Sequence, residues 1–303
     1  MSNDEIPFQL PNFEMQRLLG RGGMASVWLA RQVSLDRPVA VKVLAPEFSS
    51  SPEDVAQFRR EARAAAQLKH IGIVEVYDAN CINGYYYFVM EFVDGYTMGD
   101  LLRRKGQMAM DDALIVMESV ALAMDYAWSQ FKMVHNDIKP DNIMVDADGT
   151  VKVTDLGLCR SLTASRDSVR FRAEQADEIF GTPGYMSPEQ IYAVSALDCR
   201  SDIYGLGATI YHLVTGQMLF SGKTDEEMLH CHVEPQQAPD PRRFQPALTN
   251  AFVMMLEKML VKDRNRRTGD WRKLITDIHR VSRGQPPVPS LIAQHESSLK
   301  RDR

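Results

Sequence analysis

The sequence predicts an α+β protein with two lobes, a small antiparallel β-sheet lobe with one key helix and a larger, mainly helical lobe. Residues 13–92 are rich in β-branched residues punctuated by glycine and proline, which is typical of a small sheet. Long helical patterns follow, beginning with MDDALIVMESVALAMDYAWSQF. At 303 residues and 45% hydrophobic content, the chain is large enough to form two such lobes.

Five strand-like runs define the small lobe, in the order MQRLL, SVWLARQ, VAVKVL, IVEVYDA and YYYFVMEFV. Between the third and fourth, SSPEDVAQFRREARAAAQL predicts a helix with Ser51 as N-cap, Pro52 at its first position and Asp54 three residues after the cap. The residues expected on its buried face are Phe58, Ala62, Ala65 and Leu68.

The predicted organisation is an N-terminal extension (1–12), the small lobe (13–92), the large lobe (93–282) and a linker or tail (283–303). The lobes are expected to join near Glu91 to Gly95, where DGYT breaks the strand pattern. A cleft between two lobes is a common place for a ligand.

Composition argues against several classes of function. A net charge of −5 and a pI near 5.8 provide no basic surface for nucleic acid. The four cysteines contain no CxxC pair, so neither a disulfide framework nor a zinc site is indicated. We expect a cytoplasmic protein with no membrane span within this chain, any membrane anchor lying beyond residue 303, because no window approaches about 18 apolar residues and MSNDEIPFQ is not a signal peptide.

The stretch HNDIKPDNIMVDADGTVKVTDLG carries most of the chemistry. NIMV and TVKVT are strand-like, and Asp148-Gly149 between them predicts a tight hairpin turn. Pairing these strands brings Asn142 and Asp155 together, and their oxygens suit Mg²⁺. The alternative is two polar hairpin ends that cap themselves.

Asp137 and Lys139 precede this hairpin. A carboxylate there could accept a hydroxyl proton, and an ammonium group could stabilise a phosphoryl group in transfer. Alone, Asp137 and Lys139 would be solvated loop residues. Their spacing to the candidate metal ligands Asn142 and Asp155 favours the catalytic interpretation.

The small lobe offers two further features. GRGGMASVW has glycines at 20, 22 and 23 between two strands, which suits either a phosphate-binding loop or a simple hairpin turn. Lys42 interrupts the apolar run VAVK and needs an anionic partner. Glu61, on the buried side of its helix, is the candidate partner, and the alternative is an exposed Glu61 paired with a neighbouring arginine.

Taken in order, the glycine loop, VAVK, Glu61, HNDIKPDN, DLG and GTPGYMSPE resemble the protein kinase signature from about residue 13 to 280. The residues within and around these motifs resemble those of the bacterial eukaryotic-like (Hanks-type) serine/threonine protein kinases, a family with some membrane-anchored members. The resemblance implies the bilobal protein kinase fold, with ATP and Mg²⁺ as cofactors, Mn²⁺ as an alternative metal, and protein substrates bearing Ser or Thr. It also implies homodimers for autophosphorylation.

The resemblance assigns roles to particular residues. Lys42, oriented by Glu61, would hold the α- and β-phosphates, Asp137 would act on the substrate hydroxyl, and Lys139 would neutralise the γ-phosphate. Asn142 and Asp155 would bind the metal. The residues expected around the nucleotide are Leu19, Gly20, Arg21, Gly22, Gly23, Val27, Ala40, Glu91, Val93 and Met144.

Outside the nucleotide site, Lys139 and Thr182 resemble the serine/threonine branch rather than the tyrosine branch of the family. Asp202 and the pair Glu189 and Arg267 resemble structural anchors of the large lobe.

The chain departs from the family pattern in three places. Ala25 replaces the third glycine, and DLG replaces DFG. Asn136 stands where the family usually has an arginine that pairs with a phosphorylated activation-segment residue. The activation segment, 155–189, contains no Ser, Thr or Tyr between Ser168 and Thr182. We therefore predict a non-RD kinase whose activity does not depend on phosphorylation in that stretch.

Sites of autophosphorylation are still available earlier in the segment, at Ser161, Thr163, Ser165 and Ser168. Two alternatives to an active protein kinase remain, a nucleotide-binding pseudokinase scaffold and a small-molecule phosphotransferase. The first is suggested by Asn136 and Ala25, whereas GTPGYMSPE resembles a platform for a peptide and argues against the second.

Overall fold

The computed structural model describes residues 9–155, 160–161, 182–194, 196–222, 224–290 and 298–300, with only the backbone described at 160–161. Two compact units divide the chain, the first ending at Asp94 and the second beginning at Gly95. The antiparallel sheet lies in the first unit and most of the helices lie in the second, so the predicted fold class is confirmed.

The first unit contains a five-stranded antiparallel sheet in the order β1-β2-β3-β5-β4. Its elements are β1 Phe13–Arg21, β2 Ala25–Gln32, β3 Arg37–Leu44, α1 Pro46–Ser49, α2 Pro52–Ala65, β4 Val76–Ile82 and β5 Tyr85–Glu91. Alternate residues of the central strands pack into one buried cluster that includes Trp28, Val41 and Val89. Strand alternation therefore places the residues between them on the other face of the sheet.

The strand predicted over IVEVYDA starts later than expected, at Val76. Ile73 and Val74 are buried but precede the strand, and the Ile73 N–H donates to the His70 carbonyl across a turn (2.9 Å). Both positions are apolar and buried although they precede the strand, so the periodicity extended the predicted strand too far.

Helix α2 has the predicted start. The Ser51 hydroxyl accepts a hydrogen bond from the Asp54 N–H (3.2 Å), and Pro52 occupies the first turn. Phe58, Ala62 and Ala65 of the predicted apolar face are buried, and so is Leu68, which lies just beyond the end of the helix. This face fixes the rotation of the helix, so the position of Glu61 follows from the packing of its neighbours.

The second unit is built largely from helices with short strands between them. Its strands are β6 Gly95–Thr97, β7 Met133–Val134, β8 Ile143–Asp146, β9 Val151–Val153 and β10 Arg160–Ser161. Its helices are α3 Met98–Lys105, α4 Met110–Phe131, α5 Pro188–Ile191, α6 Cys199–Thr215, α7 Asp225–Val233, α8 Asn250–Met259 and α9 Trp271–Ser282. Single 3₁₀ turns cover Pro140–Asn142, Pro183–Tyr185 and Pro241–Arg243.

Helix α6 is the central element of this unit. Asp198 caps its N-terminus by accepting from the Arg200 N–H, and most of its side chains are buried. Gly216 ends it with φ of 67°, where a Cβ atom would come within 2.6 Å of the Gly106 carbonyl oxygen. Because α6 is packed on all sides, a carboxylate on it is a fixed point for neighbouring loops. Of the helices in the described part of the chain, none has the length and apolar character that a bilayer span requires.

Candidate active site

The predicted hairpin forms with the predicted register. Ile143 pairs with Val153, and Gly149 supplies the turn with φ of 89°. At the open end, the Thr154 N–H donates to the Asn142 carbonyl (3.0 Å). The pairing therefore holds Asn142 beside the residue that precedes Asp155, as the sequence predicted.

The donor set at this end suits a hard divalent cation. The Asn142 amide nitrogen donates to Asp137, which orients the amide oxygen away from that bond, and Asp155 adds a carboxylate. Asp155 has φ of 58°, a left-handed conformation that is rare outside glycine and is concentrated at functional sites. In the described ranges no group of three or more His, Cys, Asp or Glu forms a metal site. Two oxygen ligands are typical of Mg²⁺, which takes its remaining ligands from phosphates and water.

Asp137 lies at the centre of a hydrogen-bond network. Its Oδ1 accepts from the hydroxyl (2.9 Å) and the backbone N–H (3.2 Å) of Thr182. Its Oδ2 accepts from the Lys139 ammonium (2.7 Å) and the Asn142 amide (3.1 Å). The Lys139 ammonium also donates to the Thr182 hydroxyl (2.7 Å). The network therefore fixes a carboxylate and an ammonium group side by side.

Asp202 on α6 fixes the backbone that carries Asp137. Its carboxylate accepts from the backbone N–H groups of His135 (2.7 Å) and Asn136 (2.8 Å). Complete burial raises the pKa of Asp202 to about 6, although His135 and these N–H bonds act in the opposite direction. The assignment of Asp202 as an anchor of the large lobe agrees with this geometry.

His135 links the loop that carries Asp137 to the end of strand β9. Its Nδ1 accepts from the Asp137 N–H (3.2 Å), so Nε2 is the nitrogen that donates to the Thr154 carbonyl (3.0 Å). The ring is fully buried, so these protein groups bond to it in place of water. One side chain thus connects the backbone of Asp137 with the residue before Asp155.

Asn136 has a backbone role of its own. It is buried, has φ of 67°, and its carbonyl accepts from the Gln190 side-chain amide (2.7 Å). Asparagine is among the non-glycine residues that tolerate this conformation best. The residue that replaces the usual arginine is therefore well suited to the strained turn it occupies.

In the first unit, Lys42 and Glu61 form the predicted ion pair. The Lys42 ammonium on β3 lies 2.6 Å from the Glu61 carboxylate on α2, and their side chains are only 13% and 10% exposed. The ammonium also lies 5.5 Å from the centre of the Phe88 ring. The alternative of an exposed Glu61 paired with a neighbouring arginine is wrong, because the buried face of α2 turns Glu61 towards the sheet.

The glycine loop lies between β1 and β2, and its turn is closed by a bond from the Gly22 N–H to the Ala25 carbonyl (2.8 Å). A Cβ atom at Gly20 or Gly23 would meet nothing within 4 Å, and neither has a positive φ. Packing and backbone strain within this unit therefore do not require glycine at these two positions.

The other predicted nucleotide residues occupy strands or strand ends in both units. Leu19 and Arg21 lie on β1, and Val27 on β2 pairs with Lys42. Ala40 is buried on β3, Glu91 ends β5, and Val93 is buried after it. Met144 lies on β8 of the second unit.

Glu189 and Arg267 form a buried, bidentate ion pair, with nitrogen–oxygen distances of 2.6 and 3.0 Å. The guanidinium also donates to the carbonyls of Val261, Arg200 and Lys262. Every part of the guanidinium is therefore matched by an acceptor, which agrees with the anchoring role predicted for the pair.

Sequence reasoning missed Gln190. Ser187 caps α5 and the Gln190 side chain returns to the Ser187 N–H (3.0 Å), so the capping-box spacing in SPEQ was the available signal. Its bond to the Asn136 carbonyl joins distant loops and had no local signal. Of the predicted phosphorylation sites, Thr163, Ser165 and Ser168 lie outside the described residues, and only the backbone of Ser161 is described.

Comparison with known proteins agrees with this geometry. The family described as "Protein kinase domain" matches residues 13–279. Serine/threonine-protein kinase PknB of Mycobacterium tuberculosis H37Rv is 36% identical over 289 residues, which cover 94% of this chain and 45% of the relative. Serine/threonine-protein kinase PrkC of Bacillus subtilis is 34% identical over 251 residues, covering 83% of this chain and 37% of the relative.

The chain thus spans less than half the length of these curated relatives. The family match includes the glycine loop, the Lys42–Glu61 pair, the loop that carries Asp137 and the hairpin described above. This chain belongs to the protein kinase domain family.

Proposed function

We propose that this chain is an active serine/threonine protein kinase that does not require phosphorylation of its activation segment. The observation that carries the proposal is the network in which Asp137 is held by Thr182, Lys139 and Asn142. A scaffold that only bound nucleotide would have no need for a carboxylate oriented on both of its oxygens.

In the proposed reaction, a serine or threonine hydroxyl of a protein substrate attacks the γ-phosphorus of ATP. A new O–P bond forms, the bond from the γ-phosphorus to the bridging oxygen breaks, and ADP leaves with that electron pair. Asp137 accepts the hydroxyl proton, and the Lys139 ammonium 2.7 Å away offsets charge on the transferred group.

Lys42 and Glu61 are assigned to the nucleotide. The Glu61 carboxylate, 2.6 Å from Lys42, fixes the direction of the ammonium so that it can hold the α- and β-phosphates. Asn142 and Asp155 would hold Mg²⁺, which when bound neutralises charge on the phosphates.

Independence from phosphorylation is supported by Asn136. Its backbone groups bond to Asp202 and Gln190, so the turn before Asp137 is fixed by uncharged and acidic partners within the second unit. An amide side chain also supplies no charge to attract a phosphate, whereas an arginine would. The turn is thus held without a phosphorylated residue.

The test compares three preparations in phosphate transfer from labelled ATP to a generic basic protein. They are phosphatase-treated protein, protein preincubated with ATP, and a variant with alanine at positions 161, 163, 165 and 168. Equal initial rates are expected. A severalfold higher rate after preincubation, lost in the alanine variant, would refute independence from phosphorylation.

Absence of transfer in every preparation, despite measurable ATP binding, would refute the enzyme and support a nucleotide-binding scaffold.

A further inference from the structure

A segment beyond the kinase match of residues 13–279 packs against the rest of the second unit. Within Ser298–Lys300, the Ser298 and Leu299 side chains are buried, whereas Lys300 is exposed. The sequence around them, ESSLKRDR, is polar and indicated a linker or tail. Complete burial of a serine and a leucine in such a segment requires a specific partner surface.

The backbone of this segment pairs with Ala238 as a strand would. The Ala238 N–H donates to the Ser298 carbonyl (2.7 Å), and the Lys300 N–H donates to the Ala238 carbonyl (2.8 Å). The result is a one-residue parallel bridge between Ala238 and Leu299. Peptides that add to a sheet edge are recognised by the same backbone bonds, with alternate side chains entering pockets.

The Ser298 side chain adds sequence selectivity. Its hydroxyl donates to the Leu260 carbonyl at the end of α8, and it also interacts with the Tyr204 phenol on α6. Tyr204 is itself buried, so a charged or larger residue at position 298 would have to displace packed groups. The groove that receives this segment, formed by Ala238, Leu260 and Tyr204, therefore favours a small hydroxyl residue over a charged or larger one.

Lys262 holds the receiving loop in place. Its ammonium group binds the carbonyls of Cys231 (2.7 Å), Glu234 and Gln236 (2.8 Å), which end α7 and lead to Ala238. It also lies 4.8 Å from the centre of the Phe220 ring. Ala238 is thus presented by a fixed loop, which limits the ordering cost of binding a peptide there.

The groove is connected to the loop that contains Thr182. The Tyr204 phenol oxygen lies 2.8 Å from Nδ1 of His232 on α7. On the same helix, the Met228 sulfur would lie 3.3 Å from a Cβ atom at Gly184, in the turn that follows Thr182. The described contacts therefore run from Ser298 through α7 to the Pro183–Tyr185 turn.

We propose that Ser298–Lys300 is a docking peptide for a groove formed by Ala238, Leu260 and Tyr204, and that the docked peptide holds α7 against the Pro183–Tyr185 turn. This proposal concerns binding, so it stands or fails independently of phosphate transfer.

Amide hydrogen exchange of the full chain tests the proposal. Leu299→Asp places a charge at a buried position, and it should speed exchange of the Ala238 amide by about tenfold or more. Ser298→Asp should also speed exchange of the Ala238 amide, because it removes the hydroxyl that donates to the Leu260 carbonyl. Lys300→Ala is the matched control, because this exposed side chain is removed while the backbone N–H remains. It should leave the Ala238 amide as protected as in the unmodified chain.

The proposed effect of the docked peptide on the Pro183–Tyr185 turn is measured separately, at the Tyr185 amide, which donates to the Thr182 carbonyl (2.9 Å). It should also exchange faster in Leu299→Asp. Adding the synthetic peptide SLIAQHESSLKRDR in excess to that variant should restore protection at both amides, and the same peptide with Asp at position 299 should not.

Unchanged protection of Ala238 in both aspartate variants would overturn the docking site. Faster exchange at Ala238 with no change at Tyr185 would overturn the coupling and leave the docking site standing.

Discussion

The hydroxyl of Thr182 is the part of the hydrogen-bond network around Asp137 that can be removed with the least disturbance. It donates to Asp137 (2.9 Å) and accepts from Lys139 (2.7 Å), so both of its bonds involve a charged group. Such bonds contribute about 1.5–3 kcal/mol each. In Thr182→Ala the ion pair between Asp137 and Lys139 remains, as does the bond from the backbone N–H of residue 182. The variant loses both hydroxyl bonds, but Asp137 and Lys139 keep each other as partners, so the net loss should be closer to the value of one such bond than of two.

We expect Thr182→Ala to lower kcat/KM by about 10- to 100-fold, which corresponds to about 1.4–2.8 kcal/mol of transition-state stabilisation. Thr182→Ser keeps the hydroxyl and should remain close to the unmodified enzyme. The assay is transfer from labelled ATP to a generic basic protein, with thermal unfolding measured in parallel.

A Thr182→Ala variant as active as Thr182→Ser would refute this reasoning, because the hydroxyl would then not position the carboxylate and ammonium groups for transfer.

Two further predictions concern stability. Glu189→Ala leaves the buried Arg267 guanidinium without its carboxylate and should lower the free energy of unfolding by about 3–5 kcal/mol, measured by urea denaturation. His232 is buried, and burial lowers its pKa to about 3, an effect that the Lys262 ammonium reinforces and the Gly184 backbone opposes. The unfolded chain, with a pKa near 6.5, takes up the proton first, so stability should fall as pH drops from about 6.5 towards 3. His232→Gln should flatten that decline.

Exposed residues of the same types provide the controls. Glu47→Ala should change the free energy of unfolding by less than about 0.5 kcal/mol, since Glu47 is exposed. His230→Gln, on the exposed side of α7, should keep the steep decline at low pH. Equal effects of Glu189→Ala and Glu47→Ala would contradict the anchoring role, and an unaltered pH profile in His232→Gln would contradict the titration.

Local rules explain which parts of the fold could be predicted. The Ser51 cap and the Asp148-Gly149 turn each depend on a few neighbouring residues, and the register of the hairpin then follows. The ion pair of Lys42 and Glu61 was also predictable, because a lysine within an apolar run needs a buried acidic partner.

Contacts between distant residues could not be derived in this way. Thr182 bonds to Asp137 across 45 positions, and Asp202 bonds to the loop at His135 across 67. Neither contact produces a periodic pattern in the sequence, so only the family resemblance indicated a role for Thr182 and Asp202. The docking of Ser298 is the extreme case, because a polar tail carries no hydrophobic pattern that would indicate a buried position.

The central claim, that Asp137 serves a phosphate transfer, is tested most directly by comparing the unmodified chain with Asp137→Asn. Both are incubated with labelled ATP, Mg²⁺ and a generic basic protein, and ATP binding is measured separately. We predict transfer by the unmodified chain, its loss in Asp137→Asn, and similar ATP binding by both. Equal transfer by the two proteins, or no transfer by either, would contradict the claim.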